Sequence, residues 1–249
     1  MQLAGKIALI TGGTRGIGAA TAIGLAREGA DVAIVGRQAG ADAESTRDAI
    51  QKLGRRCEII VADCGKAAEA RRCVKETELK LGPVAVLVHC AGGPVNGGLL
   101  ELTPETWNEA FDVHVHAVFH LSRAVIPAMQ ATKEGAIVLI SSVAGIRGVI
   151  TNPAYQVVKG ALPQFARALA REFAADNIRV NCVAPGVIRT AFHAAMSAEQ
   201  KKINLEQRIP LRREGTPEQV AEAIVLLVKN DYITGENLTV DGGLTMRIA

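Results

Sequence analysis

Two residues four positions apart point to acid–base chemistry in the segment YQVVKG, residues 155–160. Residues i and i+4 share a helix face, so the Tyr155 phenol and the Lys159 ammonium would stand one turn apart. At about 4–5 Å and an effective dielectric near 20, that charge favours phenolate by roughly 3–4 kcal/mol. Bringing a phenol pKa from about 10 to about 7 requires roughly 4 kcal/mol. The pair therefore predicts a tuned proton donor; the alternative is a lysine stem packed along a surface ring.

A glycine-rich stretch, TGGTRGIG at residues 11–18, offers a place for a phosphate. Gly12 permits a sharp turn, Gly16 permits close approach to the backbone, and Gly18 lets the following helix pack near a strand. The helix N-terminus would present free N–H groups and a partial positive charge to a pyrophosphate. The stretch predicts a dinucleotide site, and a plain tight loop between strand and helix is the alternative.

The end of the second predicted strand favours NADP(H) over NAD(H). NAD sites usually place an acid there to hold the ribose 2′-hydroxyl, but this chain has Gly36-Arg37. Arg37 could grip a 2′-phosphate, and Arg15 could supply a second cation. NAD(H) stays an alternative, because both arginines could be solvated surface residues. Asp63, which ends the third strand, could accept from the adenine amino group or could cap the next helix.

Composition narrows the class of protein. The 249 residues carry a net charge of +3, and 49% of them are apolar. This small, scattered charge argues against nucleic acid or an anionic membrane surface as a partner, and no apolar stretch reaches membrane-spanning length. Five cysteines form no CxxC pair and leave one over, which predicts free thiols, no metal site and a cytoplasmic location.

Short apolar runs alternate with helical patterns along the chain. The predicted strands span residues 6–10, 31–36, 57–61, 84–90, 135–141, 178–184 and 237–240. The predicted helices span about 16–29, 41–53, 66–81, 105–131, 153–175 and 217–229. This alternation predicts an α/β fold: a single domain over 1–249 with a doubly wound (Rossmann) parallel sheet of about seven strands and helices on both faces. Ligands of such sheets bind beyond the carboxyl ends of the strands.

Taken together, these features resemble the short-chain dehydrogenase/reductase family over essentially the whole chain, including its 3-oxoacyl-acyl-carrier-protein reductase-like members. The motifs that carry the resemblance are TGGTRGIG (11–18), AD (62–63), HCAG (89–92), LISS (139–142), YQVVK (155–159), VNCVAPGVIRT (180–190) and TVDGG (239–243). Tyr-x-x-x-Lys alone is common by chance, but a serine thirteen residues before the tyrosine makes the combination specific. The resemblance implies nicotinamide-dependent hydride transfer between a carbonyl and an alcohol, usually in a homotetramer.

The resemblance also implies a role for individual residues. Tyr155 would be the catalytic acid/base, Lys159 its partner and ribose anchor, and Ser142 the hydrogen-bond donor to the substrate oxygen. Besides Arg37, Tyr155 and Lys159, the implied cofactor contacts are Gly12, Thr14, Arg15, Gly16, Ile17 and Gly18 at the pyrophosphate turn, Asp63 and Cys64 after the third strand, Ala91 and Gly92 beside the adenosine ribose, and Pro185, Gly186, Ile188 and Thr190 beside the nicotinamide.

Two positions depart from the family pattern. His89-Cys90 stands where the family often has Asn-Asn, and we expect only a local change there. His114 replaces an asparagine that is thought to hold a water linking the lysine to solvent. Histidine can also donate and accept, so a modified relay and simple packing inside the helix are both open.

The sequence thus predicts an NADP(H)-dependent oxidoreductase whose partner is a small ketone or secondary alcohol. Candidate substrates are 3-oxoacyl thioesters, sugars or polyols, and small cyclic ketones. The alternative is a non-catalytic dinucleotide-binding regulator or structural subunit of the same fold. Residues 187–214 are expected to form a lid over the substrate, or else a plain solvated helix. The long helices at 105–131 and 155–175 are the expected subunit interface.

Overall fold

A single parallel sheet organises the computed structural model, which describes residues 1–193 and 196–246. Within these residues the seven strands follow the order β3-β2-β1-β4-β5-β6-β7. The strands are β1 (Ile7–Thr11), β2 (Asp31–Gly36), β3 (Cys57–Val61), β4 (Val84–His89), β5 (Gly135–Ile140), β6 (Ile178–Pro185) and β7 (Asn237–Val240). The predicted doubly wound parallel sheet is confirmed.

Helices cover both faces of the sheet. They are α1 (Gly16–Arg27), α2 (Ala41–Gln51), α3 (Ala67–Lys80), α4 (Pro104–Phe111), α5 (Ala117–Thr132), α6 (Pro153–Glu172), α7 (Ala198–Ile203) and α8 (Pro217–Lys229). Residues of α3, α5 and α6 share one buried apolar cluster with the strands, and residues of α1, α2 and α8 share the other. The layered arrangement follows because each helix buries one apolar stripe.

The central strands are largely apolar because both faces of the sheet are covered. Every residue of β1 and of β5 is buried. Successive side chains point to opposite faces, so Leu9 joins the cluster under α3, α5 and α6, whereas Ile10 joins the cluster under α1, α2 and α8. Each such side chain contributes about 1.5–3 kcal/mol by its burial.

One helix boundary was not visible in the sequence. The predicted single helix over 105–131 is in fact α4, a π-helical turn at Asp112–His116, and α5. A π turn inserts a residue without changing which residues look apolar, so periodicity does not reveal it. No helix in the described part of the chain is both long and apolar enough to cross a membrane.

The predicted lid at 187–214 contains short elements. A 3-10 turn spans Ala191–His193, α7 begins with a capping box formed by Ser197 and Gln200, and a π turn follows at Asn204–Arg208. Every residue of α7 is exposed. Residues 194–195 of the predicted lid lie outside the described residues.

Candidate active site

The candidate site lies where the strand order reverses, between β1 and β4. Thr11 at the end of β1 pairs with His89 at the end of β4. The segments that leave these two strands run to opposite faces, and this opens a crevice at the carboxyl edge of the sheet. The glycine turn of residues 11–18 and the segment 89–93 border this crevice.

The glycine turn is packed so tightly that side chains would not fit. A Cβ on Gly12, whose φ is +66°, would lie 2.8 Å from the backbone nitrogen of Ala91. A Cβ on Gly18 would lie 2.1 Å from the carbonyl oxygen of Gly12. Helix α1 has no side-chain cap and no acidic residue in its first turn. Its N-terminal N–H groups are therefore available to an anion, as a pyrophosphate site requires.

The two arginines predicted to recognise a 2′-phosphate are exposed at this edge. Neither Arg15 nor Arg37 forms an ion pair with another described residue. Gly36 leaves room beside Thr14, because a Cβ at Gly36 would lie 2.6 Å from the Thr14 methyl carbon. The arrangement fits a cofactor that carries an extra phosphate on this side.

Asp63 does not cap the following helix. Its Oδ1 accepts from the backbone nitrogen of Gly65 at 3.1 Å, and the N-cap of α3 is Lys66. The capping alternative for Asp63 is therefore wrong. Cys64 is buried within the apolar core, so only its backbone could contact a cofactor.

The residues predicted to border the nicotinamide line one edge of the crevice. Pro185 and Ile188 are buried, and a Cβ at Gly186 would lie 2.8 Å from the Cα of Asp241. The methyl carbon of Thr190 would lie 3.5 Å from a Cβ at Gly16. The segment that starts the predicted lid thus approaches the glycine turn, while Ile17 stays half-buried on the first turn of α1.

The proposed catalytic residues meet between β5 and α6. Lys159 Nζ lies 5.7 Å from the ring centroid of Tyr155, and the Ser142 hydroxyl lies close enough to the phenol to lower its pKa. Gly145 makes this close packing feasible, because a Cβ there would lie 2.6 Å from the carbonyl carbon of Lys159. Ser141 fixes the same turn of α6 by donating to the Lys159 carbonyl at 2.8 Å.

The electrostatics differ from the sequence-based expectation. Burial raises the pKa of Tyr155, and the hydrogen bond with Ser142 only partly offsets this. Lys159 is buried, its Nζ donates to the Ile140 carbonyl at 2.7 Å, and desolvation lowers its own pKa to about 8. The expected lowering of the phenol pKa to about 7 is not found in the protein without cofactor, because burial of the phenol raises its pKa.

His114 is buried in the π turn with its ring edge-on to Tyr155, at a centroid distance of 5.9 Å. Its Nε2 lies 3.2 Å from the Gly93 carbonyl and must donate, which leaves Nδ1 as an acceptor with no partner in the described part of the chain. Burial lowers the His114 pKa to about 2, and the nearby Lys159 and His89 lower it further by smaller amounts. Gly92 makes room for this ring, since a Cβ there would lie 2.2 Å from it.

His89 forms two buried hydrogen bonds that the sequence did not suggest. Its Nε2 lies 3.0 Å from the Val113 carbonyl and must donate, so its Nδ1 accepts from the Thr11 hydroxyl at 2.8 Å. Burial lowers the His89 pKa to about 4. The residue therefore ties two strand ends to the π turn that carries His114, which is more than the local change expected for this position.

Phe192 is a second residue that sequence reasoning missed. Its ring centroid lies 5.9 Å from that of Tyr155. On another side, Tyr155 packs against a small buried cluster that includes Val95, Ala154 and Val158. No motif marks these positions, although an aromatic residue two positions after Thr190 could have raised the question. The phenol thus lies between apolar neighbours and the polar groups of Ser142 and Lys159.

Comparisons with known proteins give a consistent result. The family model described as Enoyl-(Acyl carrier protein) reductase matches residues 12–245. The chain is 36% identical over 244 residues to the 3-oxoacyl-(acyl-carrier-protein) reductase FabG of Chlamydia muridarum, covering 97% of this chain and 98% of that protein. It is 37% identical over 251 residues to dehydrogenase/reductase SDR family member 4 of Oryctolagus cuniculus, covering 99% and 96%. The crystal structure of L-sorbose reductase from Gluconobacter frateurii, complexed with NADPH and L-sorbose, matches with a TM-score of 0.91 at 30% identity, covering 100% and 99%.

Proposed function

The chain belongs to the short-chain dehydrogenase/reductase family of oxidoreductases that act on carbonyl and alcohol groups, and from this premise we propose that it uses NADP(H) to interconvert a ketone and a secondary alcohol. The observation that carries the proposal is the meeting of Ser142, Tyr155 and Lys159 in one partly buried crevice at the carboxyl edge of the sheet. Nothing in the structure favours the alternative of a non-catalytic regulator.

Tyr155 would hold the proton that the reaction needs. Bound NADPH would supply hydride to the carbonyl carbon, and negative charge then develops on the carbonyl oxygen. The raised pKa of Tyr155 keeps the phenol protonated at neutral pH, so its hydroxyl can donate to that oxygen. The Ser142 hydroxyl would bind the same oxygen and stabilise the developing charge.

Lys159 would stabilise the phenolate left after proton transfer. With a pKa of about 8 the ammonium is charged at neutral pH, although it is more easily deprotonated than a surface lysine. The ammonium has three N–H donors, and within the described residues one of them binds the Ile140 carbonyl. The others could anchor a cofactor ribose.

His114 would take part in a proton relay in place of the family asparagine. Its free Nδ1 is a buried acceptor beside Tyr155 and Lys159. An unpaired buried acceptor costs about 1–3 kcal/mol, which supports a donor such as water at this position. The packing role weighed for His114 would leave that cost without any compensation.

A preference for NADP(H) over NAD(H) is supported by two exposed cations. Arg15 and Arg37 are exposed just after β1 and β2 and could bind a 2′-phosphate, and Gly36 stands where NAD sites usually have an acid. The sorbose reductase with a similar structure was crystallised with NADPH. NAD(H) would bind without using the Arg37 fork.

The wider arrangement of the protein is also a proposal. The exposed apolar side chains of Phe119 on α5 and Val157 on α6 support the predicted homotetramer, in which these helices pack between subunits. Residues 187–214 would form the substrate lid on a single domain.

The five free cysteines support a cytoplasmic location, where thiols stay reduced.

The test is the oxidation of NADPH, followed by absorbance, with a panel of ketones and 3-oxoesters. We expect turnover, and we expect Arg37→Ala to reduce kcat/KM for NADPH tenfold or more while that for NADH changes less than twofold. Arg27→Ala, at the exposed end of α1, is the matched control. No turnover on a broad panel would refute the enzyme, and equal losses for both cofactors would refute the 2′-phosphate contact.

A further inference from the structure

Six large apolar side chains are exposed on segments that follow β4, β5, β6 and β7, the strands whose carboxyl ends border the site. They are Leu99, Leu100, Ile150, Phe192, Leu211 and Met246, which we call the apolar rim. Single exposed hydrophobic residues are ordinary, but a group of them marks a surface that meets an apolar ligand. Ile150 is 92% exposed and Leu100 fully exposed, so both could gain substantially from contact with a ligand.

The segments that carry the apolar rim are joined to one another and to the catalytic centre. Three hydrogen bonds connect them: Asn152 N to Gly97 O at 3.1 Å, Arg147 Nε to Thr245 O at 3.3 Å, and Leu211 N to Gly242 O at 3.1 Å. Phe192 completes the connection through its ring contact with Tyr155. The segments that carry five of the six side chains are therefore joined to one another, and the sixth side chain, Phe192, lies against the phenol.

Gln156 holds the most exposed part of the apolar rim in place. Its side-chain amide accepts from the Val149 nitrogen at 3.0 Å and donates to the Val149 carbonyl at 3.0 Å and the Thr151 carbonyl at 2.6 Å. These bonds lie on both sides of Ile150. Thr151 has a φ of +65°, which a β-branched residue adopts only where its surroundings impose it. We call these three hydrogen bonds the Gln156 clamp. Because Gln156 follows Tyr155 on α6, the clamp fixes the position of Ile150 relative to the phenol.

We propose that the site takes ketones bearing an apolar chain, that Ile150 contacts this chain, and that Gln156 is the residue that positions Ile150. The proposal rests on the function proposed above and selects among its substrates. An apolar chain would lose its contact with water against the rim, which is favourable. A hydroxyl-rich ketose would have to give up hydrogen bonds to water against the same side chains, which is unfavourable.

The substrate test compares ethyl 3-oxobutanoate, 3-oxohexanoate and 3-oxooctanoate with L-sorbose, using NADPH and the wild-type protein. We expect kcat/KM to rise about threefold per added methylene, and that for L-sorbose to be at least about a hundredfold below that for the longest ester. A flat series, or L-sorbose as the better substrate, would overturn the inference and leave the oxidoreductase intact. If no carbonyl compound is reduced, the proposed function fails and the inference fails with it.

The variant test asks whether Gln156 acts through Ile150. Gln156→Ala should raise KM for the 3-oxooctanoate ester about tenfold, with a smaller change in kcat and none in NADPH affinity. Gln51→Ala, at the exposed end of α2, is the matched control. An effect confined to kcat, or equal for short and long esters, would assign Gln156 a merely structural role and refute its positioning of Ile150.

Ile150→Ser decides the question even if Gln156→Ala does not fold, because the Ile150 side chain is almost fully in solvent. It should flatten the dependence of kcat/KM on chain length. Leu79→Ser removes a similar exposed side chain on α3 and should leave that dependence unchanged. An unchanged dependence in Ile150→Ser would contradict the proposal.

Discussion

Two buried cations lie at opposite ends of the sheet, and each is only 6% exposed. Arg179, near the start of β6, donates to the carbonyls of Leu227 and Val228 at 2.5 Å and of Ile233 at 3.3 Å. Two of these carbonyls belong to the C-terminal turn of α8, which a cation stabilises. Lys159, beyond the end of β5, has one hydrogen bond within the described residues, to Ile140.

The comparison shows that the partners of a buried charge, rather than its burial, indicate its role. Burial lowers the pKa of both side chains, but a guanidinium remains charged in proteins. Arg179 has its charge spread over three acceptors and stabilises the fold. Lys159 has N–H donors that make no hydrogen bond within the described residues, and its pKa is about 8. This combination suits a group that binds ligand and supports proton transfer.

The largest expected effect separates the two cations by activity. Lys159→Met keeps the length of the side chain and removes the charge, so turnover of NADPH with a ketone should fall roughly a thousandfold, equal to about 4 kcal/mol. Arg179→Met should leave turnover of the folded protein within twofold. Steady-state assays of both variants test this, and similar losses of activity would erase the distinction.

The pH dependence of the free energy of unfolding also distinguishes Lys159 from Arg179. The pKa of Lys159 is about 8 in the folded protein and 10.5 ordinarily, so the unfolded chain binds more protons between these values. Burying the charged lysine therefore destabilises the folded protein by roughly 3 kcal/mol below pH 8, and this cost disappears as the pH rises to 10.5. The free energy of unfolding of the wild type relative to Lys159→Met should rise by about that amount between pH 7.5 and 10.5. Urea unfolding would measure it, and a constant difference would contradict a buried charged lysine.

Arg179→Met should instead lower the free energy of unfolding at neutral pH by about 2–3 kcal/mol, because it leaves buried carbonyls without a donor. Urea unfolding at pH 7 is the measurement. Arg71→Met, at an exposed position of α3, is the control and should change the value by less than about 0.5 kcal/mol, as expected for surface sites. No loss in Arg179→Met would mean that this cation does not hold the end of α8.

The smallest expected effect concerns the relay beside Lys159. His114→Ala should reduce turnover about tenfold to a hundredfold with little loss of cofactor affinity, as expected for a residue that holds a water of a proton relay. His116→Ala removes an exposed ring from the same π turn and should have no such effect. Unchanged turnover in His114→Ala would assign His114 to packing alone.

The sequence was a good guide to the strands because their apolar runs are bounded by glycines and charged residues. Strand bounds agree within one residue, and β2, β3 and β7 agree fully. The i, i+4 spacing also anticipated that Lys159 lies beside Tyr155. These features depend on local pattern, which one chain displays directly.

Features that depend on tertiary packing were not visible. The rise in the Tyr155 pKa comes from burial, which spacing does not reveal. The bond from His89 to the Val113 carbonyl joins residues 24 positions apart. The hydrogen bonds of Gln156 depend on the conformation of residues 149–151, which no sequence motif predicts. Sequence thus identified the reacting groups but not the environment that sets their properties.

The most direct test of the account is the turnover of Tyr155→Phe compared with Tyr232→Phe, the chain's other tyrosine, which is 98% exposed. Phenylalanine keeps the ring and removes only the hydroxyl. We predict that Tyr155→Phe binds NADPH as the wild type does and reduces ketones about 10²–10⁴-fold more slowly, while Tyr232→Phe is unchanged. Turnover of Tyr155→Phe within twofold of the wild type would contradict the central claim that this phenol supplies the proton.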